Sequence, residues 1–356
     1  MHIGLIIYSS LDTVSGGFLY DRKLVEHLRH NGDTVEIISL PWRKYPQDLV
    51  DNFSSVLFHR LRDTQFDILL QDELNHPSLF LLNERLRGKV NYPIISIVHH
   101  LRISESHPAW QQFFYRRIEQ RYLASVDGFI FNGETTRRAV SDLLNHTEFP
   151  NSVVAFPAGD RFNPKITDEQ IVARANEPGM LRIVFVGNLI ARKGLHTLLD
   201  AFARLPSNTV QLTIVGNPDS DSEYTRSIRN KISDLHLTNV EIVGALSDVD
   251  LANVFANSHL LVVPSQYEGF GIVYLEGMSF GLPAIGTNAG GASEIIRDGE
   301  NGFLILPNDA TTLGIRIETL AHDRKVLAQM SIAARHRFLA QPTWDESMER
   351  IRQILA

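Results

Sequence analysis

The chain of 356 residues contains no cysteine. That absence excludes disulfides, zinc–thiolate sites, iron–sulfur clusters and cysteine nucleophiles together, and it fits a reducing compartment. No stretch approaches the roughly 20 apolar residues that a membrane span requires. The short apolar run within Met1–Ser10 lacks the basic lead of a secretion signal and reads as a first buried strand. The expectation is a cytoplasmic protein. An excess of positive charge is also missing. There are 34 basic and 41 acidic residues, a net charge of −7, so no basic face is expected for general nucleic-acid binding. Low-complexity tracts and short-period repeats are absent too.

What is present is ordinary for a folded protein: 44% apolar and 21% charged residues, which argues against extensive disorder. At roughly 150 residues per domain the length suggests two domains. The charge is uneven: residues 1–165 carry 18 basic and 19 acidic groups, and the remainder 16 and 22. The first half is therefore relatively basic.

Ile3–Tyr8 is a short apolar run typical of a buried parallel strand. Gly16-Gly17 follows, then Leu19, Leu24, Val25 and Leu28 at helical spacing, with Asn31-Gly32 as a stop. Val35–Ile38 completes a βαβ unit, and further strands fit 68–70, 94–98, 128–131 and 153–156. The segment from Pro157 to about Gly179 is rich in Pro, Gly and polar residues and reads as a linker. The pattern then restarts with 182–187, a helix over 197–205, and strands at 211–215, 240–243, 259–263, 283–286 and 302–305. Two α/β sets joined by a Pro/Gly-rich segment imply an α/β fold of two doubly wound domains. The expected domains are 1–165 and 166–343, with the helix 344–356 packing back on the first. Ligands of such sheets sit beyond the carboxyl ends of the strands.

Several residues at those strand ends could carry chemistry. Gly16-Gly17 precedes a helix, where backbone N–H groups can cradle a phosphate; a tight structural turn is an equal reading. Arg192 and Lys193 follow the strand 182–187, where two cations can neutralise a diphosphate; a solvated loop pair has the same spacing. Glu268-Gly-Phe-Gly-Ile-Val-Tyr-Leu-Glu276 places one carboxylate in a loop and the other on a helix that starts near Gly271. A buried carboxylate of this kind can accept hydrogen bonds from two ribose hydroxyls. The Gly286–Glu294 segment is a second Gly-rich loop expected to lead into a helix. His99 and His100 end a strand, and adjacent strand residues face opposite ways, so they do not form a joint metal site; no acidic partner stands at ligand spacing. The pairs Asp219/Asp221 and Asp248/Asp250 could hold a divalent cation, but their polar settings favour caps and solvated loops. Trp42–Tyr45 and Trp110–Tyr122 mix aromatics with Arg43, Arg116, Arg117 and Arg121. Such mixtures seat helices at anionic membrane surfaces, and also occur in helices packed on their own core.

Taken in order, these motifs resemble the retaining family 4 glycosyltransferases of GT-B fold, also called glycosyl transferases group 1. The resemblance covers nearly the full length, and its most specific part is the two-glutamate segment Glu268–Glu276. It implies two Rossmann-like domains facing across a cleft, the first binding the acceptor and the second a nucleotide sugar. By position it assigns Glu276 to the ribose and Glu268 to the transferred sugar. Backbone amides of Phe270, Gly271 and Ile272 would meet sugar hydroxyls or phosphate. Arg192 and Lys193 would bind the diphosphate, with Gly16 and Gly17 supporting it, and His99 would touch the sugar. Gly187 and Asn188 would line the donor site, and Val243 and Gly244 would flank the base. Many relatives carry Arg where this chain has Asn188, and Arg192 beside Lys193 would compensate. The resemblance implies transfer with retention from a nucleoside-diphosphate sugar, UDP favoured over GDP. The acceptor would be a glycan, lipid or small-molecule hydroxyl, and no metal or other cofactor is expected. A GT-B nucleotide-sugar epimerase and a non-catalytic nucleotide-sugar-binding partner are the alternatives. Peripheral membrane contact through the first domain is a further expectation.

Overall fold

The computed structural model describes all residues, Met1–Ala356. The chain divides into two compact units, Met1–Pro157 with Pro342–Ala356, and Ala158–Gln341.

The first unit is built on six parallel strands: β1 (His2–Tyr8), β2 (Thr34–Leu40), β3 (Ile68–Asp72), β4 (Ile94–Val98), β5 (Gly128–Phe131) and β6 (Val153–Val154). Their order is β2-β1-β3-β4-β5-β6. The central strands are buried along their whole length because helices cover both faces, as a parallel sheet requires; β3, β4 and β5 have no exposed residue. The helix Gly16–His30 follows β1, with the Ser15 side chain accepting from the Phe18 N–H at its start. The final helix, Trp344–Leu355, belongs to this unit. It opens with a capping box, Thr343 with Glu346, and its Ser347 hydroxyl donates to the Phe156 carbonyl at 2.7 Å.

The second unit holds β7 (Leu181–Val186), β8 (Val210–Val215), β9 (Val240–Gly244), β10 (Leu260–Val262), β11 (Ala284–Thr287) and β12 (Gly302–Ile305). All are parallel, in the order β12-β11-β10-β7-β8-β9. Read from β9, this is the doubly wound order of a dinucleotide-type fold.

Three local expectations change. The segment read as a linker contains the helix Asp168–Ala175, with a Thr167–Gln170 capping box at its start. Its upstream end is packed into the second unit: Phe162 stacks edge-on against Phe255 and contacts Phe280. The units therefore part at Pro157/Ala158 rather than after residue 165. The Gly-rich loop after β11 leads only into a single 3₁₀ turn, Gly291–Glu294, because Ile295, Ile296 and the strand β12 follow too soon for a helix. The strand expected over 153–156 is paired only at Val153–Val154, with one more rung from the Ala155 N–H to the Phe131 carbonyl.

Candidate functional site

In doubly wound sheets, strand order reverses beside one strand, and the loops on either side of that point splay apart and leave room for a ligand. In the second unit the reversal lies between β7 and β10. The loop after β7 carries Gly187, Asn188, Arg192 and Lys193, and the loop after β10 carries Glu268 and Phe270. The topology thus brings together residues that the sequence keeps far apart. Lys193 Nζ lies 2.7 Å from Glu268 Oε2. The Ser265 hydroxyl donates to the same oxygen at 3.0 Å. Arg192 Nη1 donates to the Tyr267 carbonyl at 2.9 Å, and its own carbonyl accepts from the Gln266 N–H at 2.8 Å. Burial alone would push Glu268 up, but the charges of Lys193 and Arg192 and the hydrogen bonds from Lys193 and Ser265 outweigh it and hold the carboxyl down to about 2. Glu268 is therefore a fixed anion next to two cations.

The backbone around Glu268 is held from the other side. Its N–H donates to the Ala289 carbonyl at 3.2 Å, and its carbonyl accepts from the Gly291 N–H at 2.7 Å. The Gly286–Glu294 segment therefore supports the site rather than standing apart from it. Gly271 caps the helix Ile272–Ser279 with φ +99°, a left-handed conformation open to glycine. A side chain there would also strike the Tyr274 ring. Phe270 and Gly271 are buried and Ile272 is half-buried, at the start of that helix.

Glu276 sits one turn into the helix and is 5% exposed. Its Oε1 is 3.4 Å from Arg161 Nη1, and Arg161 also pairs with Asp248. Burial pushes the Glu276 carboxyl up, against the pull of Arg161. Arg161 was not singled out in the sequence because it lies in the Pro/Gly-rich segment. A cation just after Pro157, in a stretch packing on the second sheet, was its only signal. Asp248, half of one of the two Asp-x-Asp pairs, is this ion-pair partner. Asp250 accepts from the Ser247 hydroxyl at 2.6 Å, Asp221 caps the helix Ser222–Asp234, and the Asp219 N–H is held by Asn217. All four thus act as helix-terminal, capping or paired groups. Asn188 is half-buried, its carbonyl accepting from the Ile190 N–H. Gly187 donates its N–H to the Val215 carbonyl, and the Gly244 carbonyl accepts from the Gly216 N–H; Val243 lies beside it at the end of β9.

In the first unit the strand order reverses between β1 and β3. The groups gathered beyond these strand ends are Gly16 and Gly17, the first two residues of the helix after β1, and His99, just past β4. Gly17 lies so close that a Cβ would stand 3.1 Å from His99 Cδ2. His99 has acidic partners, contrary to expectation: Asp21 Oδ1 is 3.0 Å from Nε2, and Asp72 brings a second carboxylate within 4.8 Å. Both come from other elements, 78 residues away in the case of Asp21, which is why spacing did not show them. His100 pairs separately with Glu105. A second buried group, Glu73, His76 and Glu119, lies nearby in sequence terms. Glu119 accepts the N–H groups of Arg102 and Ile103 at 2.6 and 3.2 Å, and Tyr45 bonds His76 Nε2 at 3.0 Å. Burial pushes Glu73 up to about 8 and Glu119 up as well, and main-chain donors hold Glu119 in place.

The two aromatic–cationic stretches differ. Arg43 is paired with Asp51 at 3.0 Å and Tyr45 packs on Tyr115 and His76, so residues 42–45 largely serve the fold. The helix Ala109–Leu123 buries Glu119, Tyr122 and Leu123 but leaves Trp110, Phe113 and Phe114 exposed at 66, 57 and 56%.

Residues 167–337 match the family described as glycosyl transferases group 1. An uncharacterised glycosyltransferase of Methanocaldococcus jannaschii is 30% identical over 171 residues, 48% of this chain and 46% of that protein. A D-inositol 3-phosphate glycosyltransferase of Rhodococcus erythropolis is 28% identical over 246 residues, 66% of this chain and 55% of that protein. The match spans about half the length of these curated relatives. Among solved structures, sucrose-phosphate synthase of Thermosynechococcus elongatus superposes with a TM-score of 0.82 at 21% identity, over 99% of this chain and 98% of that one. Anabaena HepE, solved with UDP-glucose, superposes with a TM-score of 0.79 at 19% identity, over 100% and 99%. These likenesses show the fold, which is GT-B.

Proposed function

From the match of residues 167–337 to the glycosyl transferases group 1 family, we propose that the protein transfers a sugar from a nucleoside-diphosphate donor to an acceptor hydroxyl, with retention of configuration. The observation that carries the reading is the Lys193–Glu268–Arg192 cluster at the switch point of the second sheet. A diphosphate gains negative charge as it leaves the anomeric carbon. Lys193 and Arg192, positioned by Glu268 and the Tyr267 carbonyl, stabilise that charge, so the reaction needs no divalent cation. Glu268, ionised throughout, accepts hydrogen bonds from hydroxyls of the transferred sugar, and Glu276 accepts them from the ribose hydroxyls. Amides of Phe270, Gly271 and Ile272 hold the sugar or phosphate, and Gly187, Asn188, Val243 and Gly244 line the nucleotide. Gly16, Gly17 and His99 are the candidate substrate-binding residues of the first unit. UDP is the favoured base; Anabaena HepE binds UDP-glucose.

The acceptor is a glycan, lipid or small-molecule hydroxyl. A membrane-borne acceptor is supported by the exposed face of the helix Ala109–Leu123, where Trp110, Phe113 and Phe114 stand beside exposed Arg116 and Arg117. Its sole acidic residue, Glu119, is buried. Such a face suits an anionic interface. No helix is long and apolar enough to cross a membrane.

The experiment is release of nucleoside diphosphate from a panel of UDP-, GDP- and ADP-sugars without acceptor, beside a Glu276→Ala control. Slow release from one donor, lost in the control, supports the reading. Binding without release, with or without candidate acceptors, would favour a non-catalytic partner.

A further inference from the structure

Asp21 lies in the helix Gly16–His30 between Tyr20 and Arg22, a setting that reads as surface, yet it is fully buried. A buried carboxylate is costly unless a partner offsets its lost hydration. Here the partner is the His99 ring, with Nε2 3.0 Å from Oδ1. The second oxygen, Oδ2, is buried with no hydrogen-bond partner, so the carboxylate bonds only to the imidazole.

The groups facing His99 come from two elements. From the helix come Asp21 and Tyr20, whose ring lies edge-on at 5.2 Å and whose hydroxyl donates to the Ala155 carbonyl. From the end of β3 come Asp72, whose Oδ1 accepts the Leu74 N–H, and Glu73. Burial disfavours the imidazolium, but Asp21, by charge and hydrogen bond, and then Asp72 and Glu73 outweigh it and hold His99 up to about 9. Burial and the charge of Asp21 push Asp72 up to about 7. Near neutral pH the ring thus carries both protons. One faces Asp21; Nδ1–H is the donor that remains.

We propose that Asp21 is a positioning residue that holds His99 as an imidazolium, Nε2–H on the carboxylate, so that Nδ1–H remains as a charged donor toward substrate. This rests on the transfer reading, and it adds to it a residue and a protonation state. A charged donor is about twice as strong as a neutral one.

The test is an imidazole proton–nitrogen NMR titration of the full chain, with His99 assigned through His99→Gln, in wild type and Asp21→Asn. The asparagine keeps the shape and removes the charge. Wild-type His99 is expected to titrate near 9, and in Asp21→Asn to fall toward the ordinary ~6.5. Donor turnover in wild type should hold until pH nears that wild-type midpoint. In Asp21→Asn, kcat should fall about tenfold per pH unit above ~6.5, with KM for the donor changing less. If Asp21→Asn does not fold, the wild-type titration decides alone, and Asp72→Asn should lower the midpoint by less than loss of Asp21 would. An ordinary wild-type midpoint with normal turnover overturns the inference and leaves the transfer reading intact. A midpoint near 9 without binding or turnover of any nucleotide sugar overturns the transfer reading, and with it the task of Nδ1–H.

Discussion

Lys193 Nζ and Glu268 Oε2 lie 2.7 Å apart although the residues are 75 positions apart in sequence. The pair exists because β7 and β10 are neighbours and their loops leave the sheet at the same place. Both side chains are largely buried, so each makes the other tolerable. Under the proposed function, donor binding would be an exchange: the diphosphate would take over part of the Lys193 charge that Glu268 neutralises, and Glu268 would turn to sugar hydroxyls.

Lys193→Met should weaken donor binding at least tenfold and destabilise the fold by about 1–3 kcal/mol, because it leaves a buried carboxylate with less compensation. The double variant Lys193→Met/Glu268→Gln should be more stable than Lys193→Met alone, while binding donor no better. Thermal unfolding and calorimetry check both; additive losses of stability would mean the two side chains act independently.

Glu268 also predicts an acid limb. Its folded carboxyl sits near 2, below the ~4.3 of an unfolded glutamate. Its stabilising contribution is therefore complete above that unfolded value and is lost as pH falls from there toward the folded one. Glu268→Gln should be less stable than wild type at pH 7, with the gap narrowing across that window in denaturant titrations. A gap independent of pH would contradict the assignment.

Arg161→Ala removes the cation beside Glu276 and Asp248. The Glu276 carboxyl, already pushed up by burial, should rise further. Donor affinity should fall at acidic pH and recover as pH rises, whereas Arg161→Lys should show a smaller loss. An affinity loss equal at every pH would place Arg161 in a purely structural role.

Gly17→Ala separates stability from function. Alanine is favoured in a helix by up to about 1 kcal/mol over glycine, yet its methyl would stand 3.1 Å from the His99 ring. The variant should unfold at or above the wild-type temperature while losing donor turnover and shifting the His99 ring resonances. Unchanged turnover would show that the ring can move without cost.

For the exposed helix, flotation with vesicles containing anionic lipid should recover the protein at low salt and release it at high salt. Triple replacement of Trp110, Phe113 and Phe114 by serine should abolish recovery without affecting release of nucleotide in solution. Recovery by neutral vesicles alone, or none at all, would remove the membrane-borne acceptor from consideration.

The strands were legible in the sequence because a parallel sheet covered on both faces needs continuous apolar runs, and Ile3–Tyr8, Ile94–Val98 and Leu181–Val186 are such runs. The position of His99, Lys193 and Glu268 beyond strand ends, where ligands of this architecture sit, was legible because the strands before them are apolar runs. Asp21, Asp72 and Arg161 were not. Each is a charged residue in a locally polar setting, and its partner lies on another element: Arg161 and Glu276 are 115 positions apart. Periodicity reports which face of an element is buried, and not which buried charges will meet. The helix Asp168–Ala175 had a readable signal, Thr167 followed by Gln170, but the prolines and glycines around it made the whole segment read as a linker.

The measurement that bears most directly on the account is calorimetric titration of UDP-glucose and GDP-mannose, in EDTA and again with magnesium, into wild type, Lys193→Met and Glu276→Gln. The account predicts saturable binding of one donor to wild type, unchanged by EDTA, and at least tenfold weaker, about 1.4 kcal/mol, in each variant. Binding that requires magnesium, or equal binding by all three proteins, would contradict it.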